Sequence, residues 1–241
     1  MGINKLIKET KYLNTLAILK SRKIIKNLFF FVKYIFFRKK IERHLKHSYS
    51  KRILKTKDER SIEIYENINE KLPDNFLLDS EATRINEKIK NFLPSIDFIF
   101  DFGANIGAWT LAQRVFYKQD VKIYSFEPSK TTFEILKKNI PENDNIEIYN
   151  YALGDGNYYR TLSLPVEAIQ EGQHYRSSCY TLKTKSFFFK EKVQVFKFDT
   201  IFEKNFKNNI DSKNSGVLIK LDIEGSELNY TKAINIKTCM L

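Results

Sequence analysis

From residue 96 onward, short apolar runs alternate with amphipathic stretches. Asp97-Phe98-Ile99-Phe100-Asp101-Phe102 reads as a strand running into Gly103, and residues 107–117 read as a helix. Val121 to Phe126 is the next strand, and Thr131 to Asn139 is a helix with Phe133, Leu136 and Ile140 on one face. Ile146 to Tyr151 is a third strand, and Val217 to Asp222 a fourth, buried and ending in an acid, before a last helix to about Ala233. Strand and helix in this rhythm predict an open parallel sheet covered by helices on both faces, an α/β fold. Residues 160–198 break the rhythm. Thr161 to Leu164, Cys179 to Leu182 and Val193 to Phe198 predict a β-hairpin inserted into the parallel pattern.

The N-terminal part has another texture. Residues 48–95 read as a mostly helical lead-in broken at Pro73 and Pro94. Leu28 to Phe37 is a ten-residue, largely aromatic run interrupted by Lys33 and followed by Arg38-Lys39-Lys40. A spanning helix needs about 20 largely apolar residues, so the run is too short to cross a bilayer. Basic residues stand where a signal peptide would carry small ones. A helix with its body in a lipid interface fits the run, and so does one docked on the domain or on a second subunit. The predicted organisation is a basic helical arm over 1–57, a helical lead-in over 58–95 and an α/β domain over 96–241.

Charge sharpens that division. The 241 residues hold 41 Lys or Arg against 29 Asp or Glu, a net charge of +12. Residues 1–57 carry 17 of the basic residues against two acids, Glu9 and Glu42, and the rest of the chain is mildly acidic. Such an arm is expected to make peripheral contact with an anionic membrane, on a protein that is otherwise cytoplasmic. Nucleic acid is the poorer partner, because the aromatics are contiguous and not interleaved with the basic residues. Cys179 and Cys239 lie far apart in no metal-like spacing, so neither a disulfide scaffold nor a zinc site is indicated.

In open α/β sheets, ligands bind beyond the carboxyl ends of the strands. The first such end is Gly103-Ala104-Asn105-Ile106-Gly107, where glycine allows a tight turn and a helix N-terminus faces the site. The second is Ser125-Phe126-Glu127-Pro128, where a carboxylate can accept hydrogen bonds from both hydroxyls of a ribose. Together they predict a nucleoside site. Asp222 and Glu224, beyond the fourth strand, are candidates for a general base and its orienter, or for oxygen ligands of a divalent cation. An acid capping the following helix is the structural alternative. His174, in the inserted loop, could act as a base or stand exposed. His44 and His47, in the arm, read as surface residues.

Several of these segments resemble the FkbM type of S-adenosylmethionine-dependent methyltransferase. Ile99 to Gly107 is similar to the first motif, Ser125-Phe126-Glu127-Pro128-Ser129 to the second, and Asn150-Tyr151-Ala152-Leu153-Gly154-Asp155 to the segment after the third strand. Ser177-Ser178 matches a recurrent small polar spot. Lys220-Leu221-Asp222-Ile223-Glu224-Gly225-Ser226-Glu227 is similar to the signature K-x-D-x-E-G-x-E. The resemblance covers roughly residues 80–234. It implies a Rossmann-like class I methyltransferase sheet, S-adenosylmethionine as cofactor, and methyl transfer to a hydroxyl of a sugar, glycan or other small natural product. It also implies a cofactor site of Asp101, Gly103, Ala104, Asn105, Gly107, Glu127, Ala152 and Asp155. Within it, Glu127 would hold the ribose, Ala152 would border the adenine, and Asp101 would orient the glycine loop or reach the methionine ammonium.

The family continues through further strands after the fourth, whereas residues 234–241 supply at most one short strand. The expectation is therefore a sheet with an incomplete C-terminal half and an open edge beside the fourth strand. An alternative function follows: a catalytically impaired methyltransferase fold serving as a membrane-surface binding or scaffold module.

Overall fold

The computed structural model describes residues Phe36, Lys39, 49–56, Glu59, 61–68, 71–77, 81–90, 95–117, 121–142, 145–165, 188–206, Ile210, 215–223 and 239–240. The chain divides into two units, Met1–His44 and Leu45–Leu241. In the first, Phe36 and Lys39 are helical, and the rest of the aromatic run lies outside the described residues. Among the described residues no helix is long and apolar enough to cross a membrane.

The second unit is built on a parallel sheet of β3 (Phe98–Phe102), β4 (Lys122–Phe126), β5 (Ile146–Tyr149), β9 (Val217–Leu221) and β10 (Cys239–Met240). Their order is β10-β9-β3-β4-β5. The sheet grows one way from β3 through β4 to β5 and the other way from β3 to β9, so its switch point lies beside β3. This is the Rossmann-like arrangement expected from the strand and helix rhythm. β5 stops at Tyr149, short of the predicted Tyr151, because the Asn150 side chain turns to donate to the carbonyls of Glu127 and Pro128. β10 pairs Cys239 with Leu218 and Met240 with Ile219, so the edge of β9 expected to stand open is covered there. The helix predicted to run to Ala233 lies outside the described residues.

The two sheet faces differ in chemistry because successive side chains on a strand alternate sides. On one face Phe100, Phe102, Tyr124 and Phe126 pack with Phe198 and Ile201 of a short helix (α4, Phe198–Ile201) and with Phe206 of the wider-coiled turn Phe202–Phe206. The Phe100 ring meets Phe198 edge-on at 5.6 Å and Phe206 at 5.3 Å, geometries that aromatic quadrupoles favour. The other face, with Ile99, Ile123 and Leu218, is covered by α1 (Glu81–Lys90), α2 (Ala108–Tyr117) and α3 (Lys130–Asn139).

The inserted hairpin is present as an antiparallel pair of β7 (Tyr158–Pro165) and β8 (Phe188–Lys197), joined by β6 (Ala152–Gly154) in a sheet of order β6-β8-β7. Its predicted segment Cys179 to Leu182 lies outside the described residues.

One expectation is corrected. Residues 49–67, assigned to the helical arm and lead-in, form an antiparallel hairpin of β1 (Tyr49–Lys55) and β2 (Ser61–Asn67); among the described residues of 48–95, α1 alone is helical. Leu54 and Ile64 face Leu111, Leu136 and Ile140 in the core. The period of two was hidden because charged residues occupy inward positions. Arg52 stands opposite Ile64 in register, and its Nε lies 2.6 Å from Oε1 of Glu66, a side chain with no exposure. Glu66 also accepts the Leu72 N–H at 2.9 Å. Replacing Arg52 by Met strips the cation from a buried carboxylate, and should lower stability by about 3–5 kcal/mol in urea unfolding.

Candidate active site

The ends of three strands, β3, β4 and β9, meet beside the switch point. Leaving β3, the chain crosses Gly103 at φ 78°, Asn105 at φ 51° and Gly107 at φ 87°. Left-handed backbone is natural for glycine, and asparagine tolerates it better than most residues. At Gly103 the glycine is also required by space, since a Cβ would fall onto the carbonyl oxygen of Asp222 at the end of β9. The loop is held by the Phe126 carbonyl, which accepts the N–H groups of Gly103 at 3.0 Å and Ala104 at 2.9 Å. Ala104 turns its side chain into the core, and Gly107 lets α2 pack against Leu136 of α3.

Asn105 aims its N–H at Glu127. The Glu127 carboxylate accepts that N–H on Oε2 at 2.9 Å and the Ser129 N–H on Oε1 at 2.8 Å, with 6% of the residue exposed. Each oxygen keeps one lone-pair direction for a further donor. Burial pushes the Glu127 carboxyl up to about 7, against the two N–H bonds that favour its charged form. The neighbouring Glu191 charge adds to the rise and Lys220 opposes it. This is a carboxylate short of donors, as a site for vicinal hydroxyls requires.

Beneath the loop runs a buried polar string. Lys220 Nζ donates to Asp101 Oδ1 at 3.0 Å and to the Gly103 carbonyl at 3.1 Å. Thr110 of α2 donates to Asp101 Oδ2 at 2.7 Å, and its hydroxyl lies 2.9 Å from that of Ser125 on β4. Burial works to lower the Lys220 pKa, but Asp101 and then Asp222 outweigh it and hold the ammonium above the usual lysine value. Asp101 is fully enclosed, with both oxygens engaged inside the protein. Asp222, by contrast, has a 62% exposed side chain, with Oδ2 3.6 Å from Lys220 Nζ.

The predicted residues thus fall into groups. Asp101, Gly103, Asn105, Glu127 and Asp222 converge on the ends of β3, β4 and β9. Ala152 opens β6, beside Tyr151, whose ring packs on Phe126 and Phe196. Asp155 sits at the turn between β6 and β7, where its carboxylate takes the Tyr158 hydroxyl at 2.7 Å, the contact that chiefly lowers its pKa. Glu224 and His174 lie outside the described residues. No group of three His, Cys, Asp or Glu able to hold a metal ion occurs among the described residues. Sequence reasoning missed Asn150, Glu191 and Asn139. The Asn139 side chain bonds the backbone of Tyr65 and donates to the Ile106 carbonyl at 2.7 Å, tying the first hairpin to the glycine loop.

The glycine loop, the strand-end carboxylate and the lysine-bearing fourth strand all lie within residues 101–239, the segment that matches the methyltransferase FkbM domain. The chain belongs to the FkbM methyltransferase family. Methyltransferase sdnD of Sordaria araneosa is 44% identical over 52 residues, covering 22% of this chain and 20% of that protein. The chain therefore spans about a fifth of that relative. Among solved structures, the FkbM methyltransferase of Methylobacillus flagellatus KT is similar over 57% of this chain and 28% of its own, with a TM-score of 0.33 and 18% identity. P. horikoshii TYW2 in complex with MeSAdo is similar over 50% and 55%, with a TM-score of 0.31 and 17% identity.

The raised pKa of Glu127 gives a testable sign. Between the ordinary 4.5 and about 7 the folded protein binds a proton that the unfolded chain has released. The contribution is therefore fully present below pH 4.5 and is lost as pH rises through 7, a fall of about 3 kcal/mol. Thermal unfolding of the ligand-free protein across this range should show that slope, and Glu127→Gln should remove it.

Proposed function

We propose that this FkbM-family chain binds S-adenosylmethionine over Gly103 and Glu127 and moves its methyl group to a hydroxyl of a sugar, glycan or other small natural product. The buried Glu127 carboxylate carries the reading, because its two remaining acceptor directions suit the two hydroxyls of a ribose. Gly103 and Asn105 give a close backbone approach, with the N-terminus of α2 behind them.

When bound, the cofactor supplies an activated methyl on a sulfonium, so the protein has mainly to orient the acceptor oxygen and take its proton. Asp222 is the group suited to accept that proton. It is exposed beside the glycine loop, where the Lys220 ammonium, 3.6 Å from its Oδ2, helps to hold it in place. Lys220 also fixes the loop by gripping the Gly103 carbonyl. Asp101 is a positioning residue: it holds Lys220 and Thr110 and, fully enclosed, presents no surface to a ligand. No divalent cation enters this reading, since the charge beside Asp222 is the lysine's.

Calorimetry with S-adenosylmethionine and S-adenosylhomocysteine tests the proposal. Micromolar binding is expected, and Glu127→Gln should weaken it by roughly tenfold to a hundredfold. Asp222→Asn should leave that affinity within about threefold while lowering radiolabelled methyl transfer to a panel of sugars and glycans by about a hundredfold or more. Unchanged affinity in Glu127→Gln would reject the ribose assignment. Binding without transfer to any acceptor would favour the scaffold alternative.

The charge of residues 1–57 supports a second element, peripheral attachment to anionic membranes. Because β1 belongs to the folded core, the informative deletion ends at His44 and spares Tyr49–Lys55. The full chain should float with anionic liposomes at low salt and the deletion should not; equal flotation of both would reject the arm's role.

A further inference from the structure

Glu191, on β8, has a feature that cofactor binding through Glu127 and proton transfer to Asp222 leave unused. The residue is 9% exposed, and its Oε1 accepts the Thr131 hydroxyl at 2.8 Å. Its Oε2 is buried and has no hydrogen-bond partner among the described residues. An enclosed carboxylate oxygen without a donor is costly, so such an atom is expected to meet one when its site fills. Its place in the fold is defined by its neighbours. Thr131 lies in the first turn of α3, two residues beyond Ser129, whose N–H holds Glu127. The Glu191 charge acts on the Glu127 carboxyl itself. Glu191 therefore borders the nucleoside side of the crevice, by β4, away from Lys220 and Asp222 on β9.

The donor can be identified by elimination, on the reading that this crevice takes S-adenosylmethionine. The ribose hydroxyls have Glu127, whose two free acceptor directions they fill. The methionine ammonium lies at the far end of the ligand from the base. Ring nitrogens N1, N3 and N7 of adenine are acceptors, which leaves the exocyclic 6-amino group as the base's N–H donor. We propose that Glu191 Oε2 accepts a hydrogen bond from the 6-amino group of the bound adenine, making Glu191 the residue that selects a 6-aminopurine. Thr131 holds the carboxylate through Oε1, which limits the side-chain freedom lost on binding.

The test is calorimetric titration of the full chain with S-adenosylhomocysteine and with S-inosylhomocysteine, in which a carbonyl replaces the 6-amino group. The unmodified protein should prefer the adenosyl ligand by about tenfold to a hundredfold, the range of a hydrogen bond to a charged group. Glu191→Gln should shrink that preference to less than about threefold, because its amide can donate to the carbonyl. Glu127→Gln should weaken both ligands alike and leave the ratio intact. Should Glu191→Gln fold poorly, Glu191→Asp withdraws the oxygen by a methylene and should shrink the ratio in the same way. Equal binding of the two ligands by the unmodified protein overturns the assignment and leaves the cofactor reading standing, as does a full ratio retained in Glu191→Gln. Binding of neither ligand overturns both.

Discussion

The site depends on one partly buried cation. Lys220 projects from β9 into the space under the glycine loop, where its ammonium joins Asp101 of β3 to the Gly103 carbonyl. Enclosing a lysine and an aspartate is favourable only when the geometry is good and the remaining hydrogen-bonding positions are filled. Thr110 fills one of them and passes the network on to Ser125 of β4. Three neighbouring strands and the first turns of α2 are thereby fixed by a single connected set of polar atoms. An apolar contact of the same size would hold the strands together, but would not dictate where the carbonyl of Gly103 points.

The same network divides the crevice electrostatically. On the β4 side stand two buried carboxylates, Glu127 and Glu191, both short of donors. On the β9 side an ammonium lies beside an exposed carboxylate. An array of acceptors suits a neutral, hydroxyl- and amine-bearing group such as a nucleoside, and desolvation raises its demand for donors because an uncompensated charge cannot be screened there. The Lys220 charge opposes the rise in the Glu127 pKa, so the two sides are coupled even though their chemistry differs.

What the sequence revealed follows from which signals are local. Strand ends, the glycine turn and the strand-end acid are short-range patterns, and Gly103, Asn105, Glu127 and Asp222 were legible from them. The partner of Lys220 was not, since Asp101 lies 119 residues away and nothing near either residue announces the pair. Glu191 reads as one more charge on a Lys-rich strand until β8 is folded against α3. The first hairpin was misread for a related reason. Arg52 and Glu66 occupy inward positions that an apolar pattern would mark, and each looks like surface until the other is placed beside it. Charged residues buried in pairs defeat periodicity, because hydropathy scores each residue alone.

That hairpin also bears on how the site is held. Asn139, at the end of α3, uses its side-chain amide as a substitute strand neighbour for Tyr65 and, with the same nitrogen, grips the Ile106 carbonyl. The glycine loop is therefore clamped from both sides, by Asn139 through Ile106 and by Lys220 through Gly103. Between these clamps the backbone of Gly103 lies so close to the Asp222 carbonyl that no side chain fits. A loop held this tightly cannot rearrange on its own. Any displacement of the chain leaving β9 must press on the turn that carries Asn105 toward Glu127. The β9 and β4 sides of the crevice thus share a boundary one residue thick, and its dimensions allow only glycine at position 103.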